Sequence, residues 1–336
     1  MPEIRKDPVL GHCIILASDR QKRPNDFAPK QGGSHNICPF CPGNEHNTPP
    51  EICRIDQTNK SDGNKEWKIR VVPNKYPALD GNAPLILEQD GIYEKTSAPG
   101  RHEVIIETPL HTGRLENLPL PHLTDIIRIY AMRSKAMLEI PFIKYAMTFK
   151  NQGRAAGASL EHPHSQIAGI PIPPKRVMEE IKACTEYKNK TGKCVFCDMV
   201  QEEMSLKKRL ICQNDHFISF APFASRTPFE INILPKKHLS RFEEITDDEA
   251  SFLAKALKES LKRLSAIVPE LCYNMMILTS PKPDSMPIEY DGIYHWRLEI
   301  MPKLAQAAGF EWGTGFYINT LSPENAAEIL RVSLIC

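Results

Sequence analysis

The chain has 336 residues, 41% hydrophobic and 25% charged, with a formal net charge of +1. This is the profile of an ordinary globular protein long enough for two domains or two halves. The even charge balance gives no electrostatic reason to bind nucleic acid or an anionic membrane surface, and no stretch approaches the ~18–20 apolar residues of a membrane span.

In chain order, the opening "MPEIRKDPVLGHCIILASDR" carries acids and a proline around an apolar run too short for a secretory signal, so a cytoplasmic protein is expected. Disulfides are then not the natural reading of the ten cysteines. Four of them form two short motifs, "CPFC" (Cys38, Cys41) and "CVFC" (Cys194, Cys197). The other six are scattered and read as small buried hydrophobes.

After the first motif, "HEVIIETPLH" (102–111) is rich in β-branched residues and reads as a strand ending in a Pro-containing turn at His111. An amphipathic helix follows over 122–140, with Leu123, Ile126, Ile127 and Tyr130 on one face. Next, "FKNQGRAAGASLEHPHSQIAG" runs from a Gly-rich loop into alternating His162, His164 and Gln166. On a strand all three project to one side. "IPIPPKRVMEEIKACTEYKNKTGK" is expected to join two parts of the chain through prolines, a short helix and a polar linker.

The same order then recurs. "FEINILPKKH" (229–238) ends at His238, an amphipathic helix occupies 247–267 behind acids suited to a helix start, and "HWRLEI" begins a last strand at His295. Each repeat thus supplies two cysteines and two histidines at matching places: Cys38, Cys41, His111 and His162, then Cys194, Cys197, His238 and His295. Two thiolates and two imidazoles favour tetrahedral zinc, and a closed four-ligand set is structural. Two structural zinc ions per chain are expected. A thioredoxin-like redox pair would sit at a helix start after a strand, which the turn formers around "SHNICPFCPGNE" do not suit.

This assignment leaves His164 outside the ligand set although it is held two residues from a ligand. The backbone N–H groups around Gly153 and Gly157 could cradle a phosphate, with Ser159 and Asn151 adding hydrogen bonds. Neutral imidazole beside a phosphate suits nucleophilic attack on phosphorus, giving a phosphoramidate, and Gln166 can donate to a phosphoryl oxygen. Two rivals share these residues. A zinc-stabilised binding module would want a basic, aromatic-studded face, and a metallohydrolase using both histidines of HPH would want more nearby acids than Glu161.

The pattern "NQGRAAGASLEHPHSQ" resembles the active-site strand of the galactose-1-phosphate uridylyltransferase family within the histidine-triad superfamily. The resemblance extends over nearly the whole chain, through "RKDPVLGHCIILASDRQKRPNDF", "CPFCPGNE", "RVVPNKYPAL" and "HEVIIETPLH". The segment "GFEWGTGFYIN" resembles the branch containing plant ADP-glucose phosphorylase. It implies an α+β fold of two histidine-triad-like halves, 1–172 and 173–336. Each half would be an antiparallel sheet with helices, and the two would join into one broad sheet in a homodimer.

By resemblance, His164 is the nucleophile, oriented by the His162 carbonyl, with Gln166 and Ser159 on phosphoryl oxygens. Arg20 and Arg23 would meet substrate phosphates, Asn74 and Asn151 nucleotide and hexose phosphate, and Gly157 would belong to the phosphate loop. Glu311 would fall in the hexose-binding segment, where "AQAAGFEW" lacks the lysine of the enteric enzymes. The second CxxC stands where those enzymes use a carboxylate-histidine iron site, which favours zinc here. The implied reaction is ping-pong transfer of a nucleoside monophosphate from a nucleotide sugar. Uridylyl transfer from UDP-glucose to galactose 1-phosphate is the first reading, and adenylyl transfer to phosphate the second.

Overall fold

The computed structural model describes residues 2–6, 13–16, 37–57, 66–81, 83–283 and 292–334. Its first half carries strands β1 (Glu3–Lys6), β2 (Cys13–Leu16), β3 (Cys53–Asp56), β4 (Trp67–Pro73), β5 (Leu87–Asp90), β6 (Tyr93–Ser97) and β7 (Arg101–Ile106). Helix α1 (Leu120–Leu138) precedes β8 (Tyr145–Gln152) and β9 (His164–Ile170). Helices α2 (Lys175–Thr191) and α3 (Val195–Leu206) lead to β10 (Leu210–Gln213), β11 (Phe217–Phe220) and β12 (Ile231–Pro235). Helix α4 (Asp247–Ile267), β13 (Tyr273–Leu278), β14 (Arg297–Pro302), α5 (Gly309–Thr314) and α6 (Pro323–Val332) complete the order.

Ten strands form one antiparallel sheet in the order β10-β11-β12-β14-β13-β8-β9-β7-β4-β3. A smaller sheet has the order β2-β1-β6-β5. The fold is therefore α+β with large antiparallel sheets. Alternation along each strand decides which face it buries. Ile105, Ile167, Met275, Ile277, Leu298 and Ile300 point into a core closed by α1 and α4. His102, Val104, His164 and Gln166 occupy the alternate positions on the opposite face, with Val104 opposite Gln166 in the register.

The helices follow their local signals. Thr246 and Glu249 form a reciprocal capping box at the start of α4, so this helix runs over 247–267 as its acids and periodicity predict. Helix α1 begins two residues before the expected His122, because Pro121 falls in the first turn, where its missing N–H costs nothing. The expected short helix and polar linker is instead one 17-residue helix, α2. Val177, Ile181 and Cys184 on α2 pack against Tyr145, Leu278 and Tyr294, and this burial carries the polar "TEYKNKT" into the helix. Regular pairing of β9 starts at His164 rather than at His162, since Pro163 has no N–H to give a neighbouring strand. Among the described residues no helix is long and apolar enough to cross a membrane.

Candidate active site

The structure brings both Cys/His sets together. The four donor atoms of Cys38, Cys41, His111 and His162 lie within 4.8 Å of one another, as do those of Cys194, Cys197, His238 and His295. In a zinc tetrahedron, bonds of ~2.3 Å to sulfur and ~2.0 Å to nitrogen place S and N about 3.5 Å apart. The observed Cys41 Sγ–His111 Nδ1 distance is 3.3 Å, Cys41 Sγ–His162 Nδ1 3.6 Å and Cys38 Sγ–His162 Nδ1 3.7 Å. In the second set Cys197 Sγ lies 3.3 Å from His238 Nδ1 and 3.7 Å from His295 Nδ1.

The donors are also oriented as ligands. His162 Nε2 donates to the Thr108 carbonyl (2.8 Å) and His295 Nε2 to that of Pro235 (2.9 Å), which leaves each Nδ1 lone pair facing sulfur. Burial pulls His162 down to about 4 and His295 to about 3, so both are neutral near pH 7. Burial likewise pushes the Cys38 thiol up to about 11 and the Cys197 thiol to about 12. Half-buried thiols of this kind become thiolates when a divalent cation takes the place of their protons. Both sets fit a tetrahedral metal ion. The first knuckle is shaped by Gly43, whose φ of +88° favours glycine, and by Asn44 Nδ2 donating to the Cys38 carbonyl (2.9 Å).

His164 lies directly beyond this anchor. Its Nδ1 donates to the His162 carbonyl (2.8 Å), so the lone pair belongs to Nε2. The edge of Phe40 packs on its ring at 5.4 Å between centroids. A cavity of about 400 Å³ opens here, walled by Phe40, Pro49, Val72 and Tyr76 and reached by Asn74, Ser159, His164 and Gln166. Apolar walls with a few convergent polar groups are the ordinary form of a small-molecule site.

Beneath the strand, on its helix-facing side, Lys150 Nζ donates to the His164 carbonyl (3.1 Å) and to Glu107 Oε2 (2.6 Å). Glu107 also accepts from the Tyr130 hydroxyl (2.9 Å) and from Ser165. Lys150 and Glu107 are fully buried, and the fixed strand is what their pairing delivers.

The strand leaving His295 is different. Arg297 donates to Glu180 (2.7 Å) and ion-pairs with Glu299 (2.9 Å), while Arg176 and Arg226 both reach Glu299 (2.6 and 2.7 Å). Burial pushes Glu299 upward, but the guanidinium groups of Arg297, Arg176 and Arg226 outweigh it and hold the carboxyl at about 2. This strand presents mutually paired charges where β9 presents His164 and Gln166.

Other sequence-derived candidates divide. Asn151 accepts from Asn274 Nδ2 (2.8 Å) across the β8–β13 pair, and Gly157 ends a short turn at φ +83° beside it. Neither lines the cavity. Glu311 caps α5 by accepting from the Ala308 N–H (2.9 Å) and borders a small separate recess with Arg226, Lys303 and Tyr317. Arg20 and Arg23 lie outside the described residues. The sequence reading missed His102, Phe40, Glu107 and Lys150. A lysine inside an otherwise strand-like run was the one available signal, since a buried lysine demands a partner.

Residues 2–174 match the family described as galactose-1-phosphate uridyl transferase, N-terminal domain, and residues 127–335 match a domain family of unknown function, DUF4921. The chain is 38% identical over 341 residues to the ADP-glucose phosphorylase of Arabidopsis thaliana, covering 98% of this chain and 92% of that protein. It is 29% identical over 339 residues to the galactose-1-phosphate uridylyltransferase of Thermotoga maritima, covering 98% of each. Among solved structures, an Arabidopsis thaliana ADP-glucose phosphorylase with bound ADP-glucose superposes with a TM-score of 0.76 at 36% identity over 98% of both chains. A uridylyltransferase mutant superposes at 0.82, with 32% identity over 99% of this chain and 98% of that one.

The chain is thus a nucleotidyltransferase. The chain belongs to the galactose-1-phosphate uridylyltransferase family, which includes the ADP-glucose phosphorylase-like branch.

Proposed function

We propose that this chain transfers a nucleoside monophosphate from a nucleotide sugar to a second phosphate through a covalent intermediate on His164. The observation that carries the reading is the Nδ1–H bond to the His162 carbonyl, which commits the lone pair of His164 to Nε2 beside Gln166 and Ser159. Nε2 attacks the α-phosphorus, the P–N bond forms, and the P–O bond to the sugar 1-phosphate breaks. The leaving group needs no proton, being a phosphate already. An oxygen of the acceptor phosphate then attacks the same phosphorus and the P–N bond breaks. Gln166 and Ser159 donate to the non-bridging oxygens, where charge must be held. Arg20 and Arg23 are assigned to substrate phosphates, Asn74 and Asn151 to nucleotide and hexose phosphate, Gly157 to the phosphate loop, and Glu311 to the hexose segment.

UDP-glucose with a hexose 1-phosphate acceptor is the first reading. Adenylyl transfer from ADP-glucose to phosphate is the second, favoured by the 38% identity to the plant phosphorylase. Two zinc ions per chain hold the strands and take no chemical part. The chain divides into two histidine-triad-like halves, 1–172 and 173–336, a reading supported by the strand orders β3-β4-β7-β9-β8 and β10-β11-β12-β14-β13 on either side of the sheet centre. A cytoplasmic homodimer completes the assignment, and the exposed Phe310, Trp312 and Phe316 are the kind of apolar patch a partner covers.

The test is incubation with UDP-glucose or ADP-glucose without acceptor, read by intact mass. One uridylyl or adenylyl group per chain, alkali-stable and acid-labile, is expected. The absence of any adduct with either sugar overturns the reading. Elemental analysis is expected to find two zinc ions per chain.

A further inference from the structure

Gln166 can stabilise a phosphoryl oxygen only if its NH2, not its carbonyl, faces the substrate. A carboxamide is nearly symmetric in shape, so something must choose between its two orientations. The choice is legible in the bonds around it. Gln166 Oε1 lies 2.8 Å from His102 Nε2 and 3.4 Å from Asn74 Nδ2. For Oε1 to occupy that place, both neighbours must donate.

Each neighbour is committed to donating by a backbone N–H of the turn after β4. The Ala78 N–H donates to His102 Nδ1 (3.4 Å), making that nitrogen the acceptor and placing the ring proton on Nε2. The Tyr76 N–H donates to Asn74 Oδ1 (2.9 Å), which turns the Asn74 NH2 toward Gln166. Asn74 Nδ2 and His102 Nε2 also lie 3.3 Å apart; this would be a bond from Asn74 only in the Nδ1–H tautomer, which the Ala78 N–H opposes. His102 is 7% exposed and sits on β7 opposite Ala168, two residue pairs beyond the Val104–Gln166 pair and on the same face. Two main-chain N–H groups therefore set one tautomer and one rotamer, and these set the third group.

We infer that His102 is a positioning residue for the transfer reaction: its Nε2–H, with Asn74, fixes Gln166 so that the Gln166 NH2 is presented to the phosphoryl oxygens. His102 touches no reacting atom. The inference rests on the proposed role of His164 and deepens it, since the Gln166 donor is useful only while phosphorus carries charge in transit.

The test uses the full-length, zinc-loaded protein and follows single-turnover formation of the adduct with whichever of UDP-glucose or ADP-glucose labels it. His102→Met removes the donor at similar volume. It is expected to slow adduct formation ~10–100-fold, less than outright loss of an oxyanion donor, with the half-saturating substrate concentration and melting temperature nearly unchanged. His102→Gln, whose Nε2 reaches a similar point, is expected to recover most of that loss.

In a Gln166→Ala background His102→Met should cost nothing further, because the group it orients is gone. Fold-losses that multiply in the double variant overturn the inference, as does undiminished labelling by His102→Met. A readout without turnover separates this from failure of the transfer reading. ¹⁵N NMR of labelled histidine should show His102 as the Nε2–H tautomer, and the Nδ1–H form overturns the assignment whether or not any adduct forms.

Discussion

The strand that leaves His162 and the strand that leaves His295 lie in one sheet, and each of these histidines is gathered with a second histidine and two cysteines. Two residues on, the first presents His164 and then Gln166 to a cavity. The second presents Arg297 and then Glu299 to each other and to Glu180, Arg176 and Arg226. The difference teaches what the metal-type cluster contributes. The same four donor types precede two different sets of side chains, so the cluster by itself specifies no chemistry. The alternate side chains that follow decide between a site and a plug. A guanidinium stays protonated at working pH and cannot attack phosphorus, and a buried carboxylate repels a phosphate.

The sharpest way to break this contrast is to remove the one group that separates the two strands. His164→Ala is expected to lower kcat by roughly 10⁴–10⁶-fold, the scale on which loss of a covalent nucleophile acts, and to abolish the nucleotidyl adduct. An adduct persisting in that variant would move the chemistry elsewhere, and two adducts on the unmodified chain would make the second strand a site.

Glu299→Gln probes the plug. Removing one partner of a buried pair costs about 3–5 kcal/mol, here because three guanidinium groups lose their shared carboxylate. Labelling should stay at one group per chain. The sign with pH follows from a folded carboxyl held at about 2 against an ordinary 4.5. The unmodified chain's advantage over Glu299→Gln is full above about 4.5, declines as pH falls and is lost through about 2, below which both states bind the proton. Urea unfolding at pH 7 and pH 3 measures it, and an advantage growing toward acid would refute the ion-pair account.

Gln166→Ala tests the other side at smaller scale. Loss of one oxyanion donor typically costs ~10²–10³ in kcat, with metal content and melting temperature preserved. Unchanged turnover would remove Gln166 from the site.

Much of this was legible in the residues alone. The capping box and periodicity of α4 are local, and the repeated order of the Cys/His donors selected eight residues that the fold gathers into two clusters. What escaped depends on register. His102 and Gln166 are 64 residues apart and meet only because β7 and β9 pair in one alignment. The Glu107–Lys150 pair likewise joins β8 to the end of β7 across β9, and no spacing within either segment announces it. Helix α2 was misjudged because its composition is polar, whereas its length was decided by the apolar stripe that meets Tyr145 and Leu278. Glu311 was placed by likeness of a neighbouring segment, and a side chain capping its own short helix is a local use that sequence cannot tell from ligand contact.

The meeting of β8 and β13 at the middle of the sheet has a mechanical consequence. Five consecutive residue pairs, Tyr273–Gln152 to Ile277–Thr148, join the strands there, and α1 and α4 lie side by side across the same seam. A seam stitched by main-chain bonds and backed by packed helices does not act as a hinge, so the cavity cannot close by folding one side of the molecule onto the other. Motion that admits a substrate has to come from the cavity's rim, the turns at 37–50 and 74–79, travelling against a stationary floor. In hydrogen exchange, β8, β9 and β13 are expected to be the last amides to trade, with the same slow rates before and after nucleotide binding, while protection gained on binding is confined to those two turns.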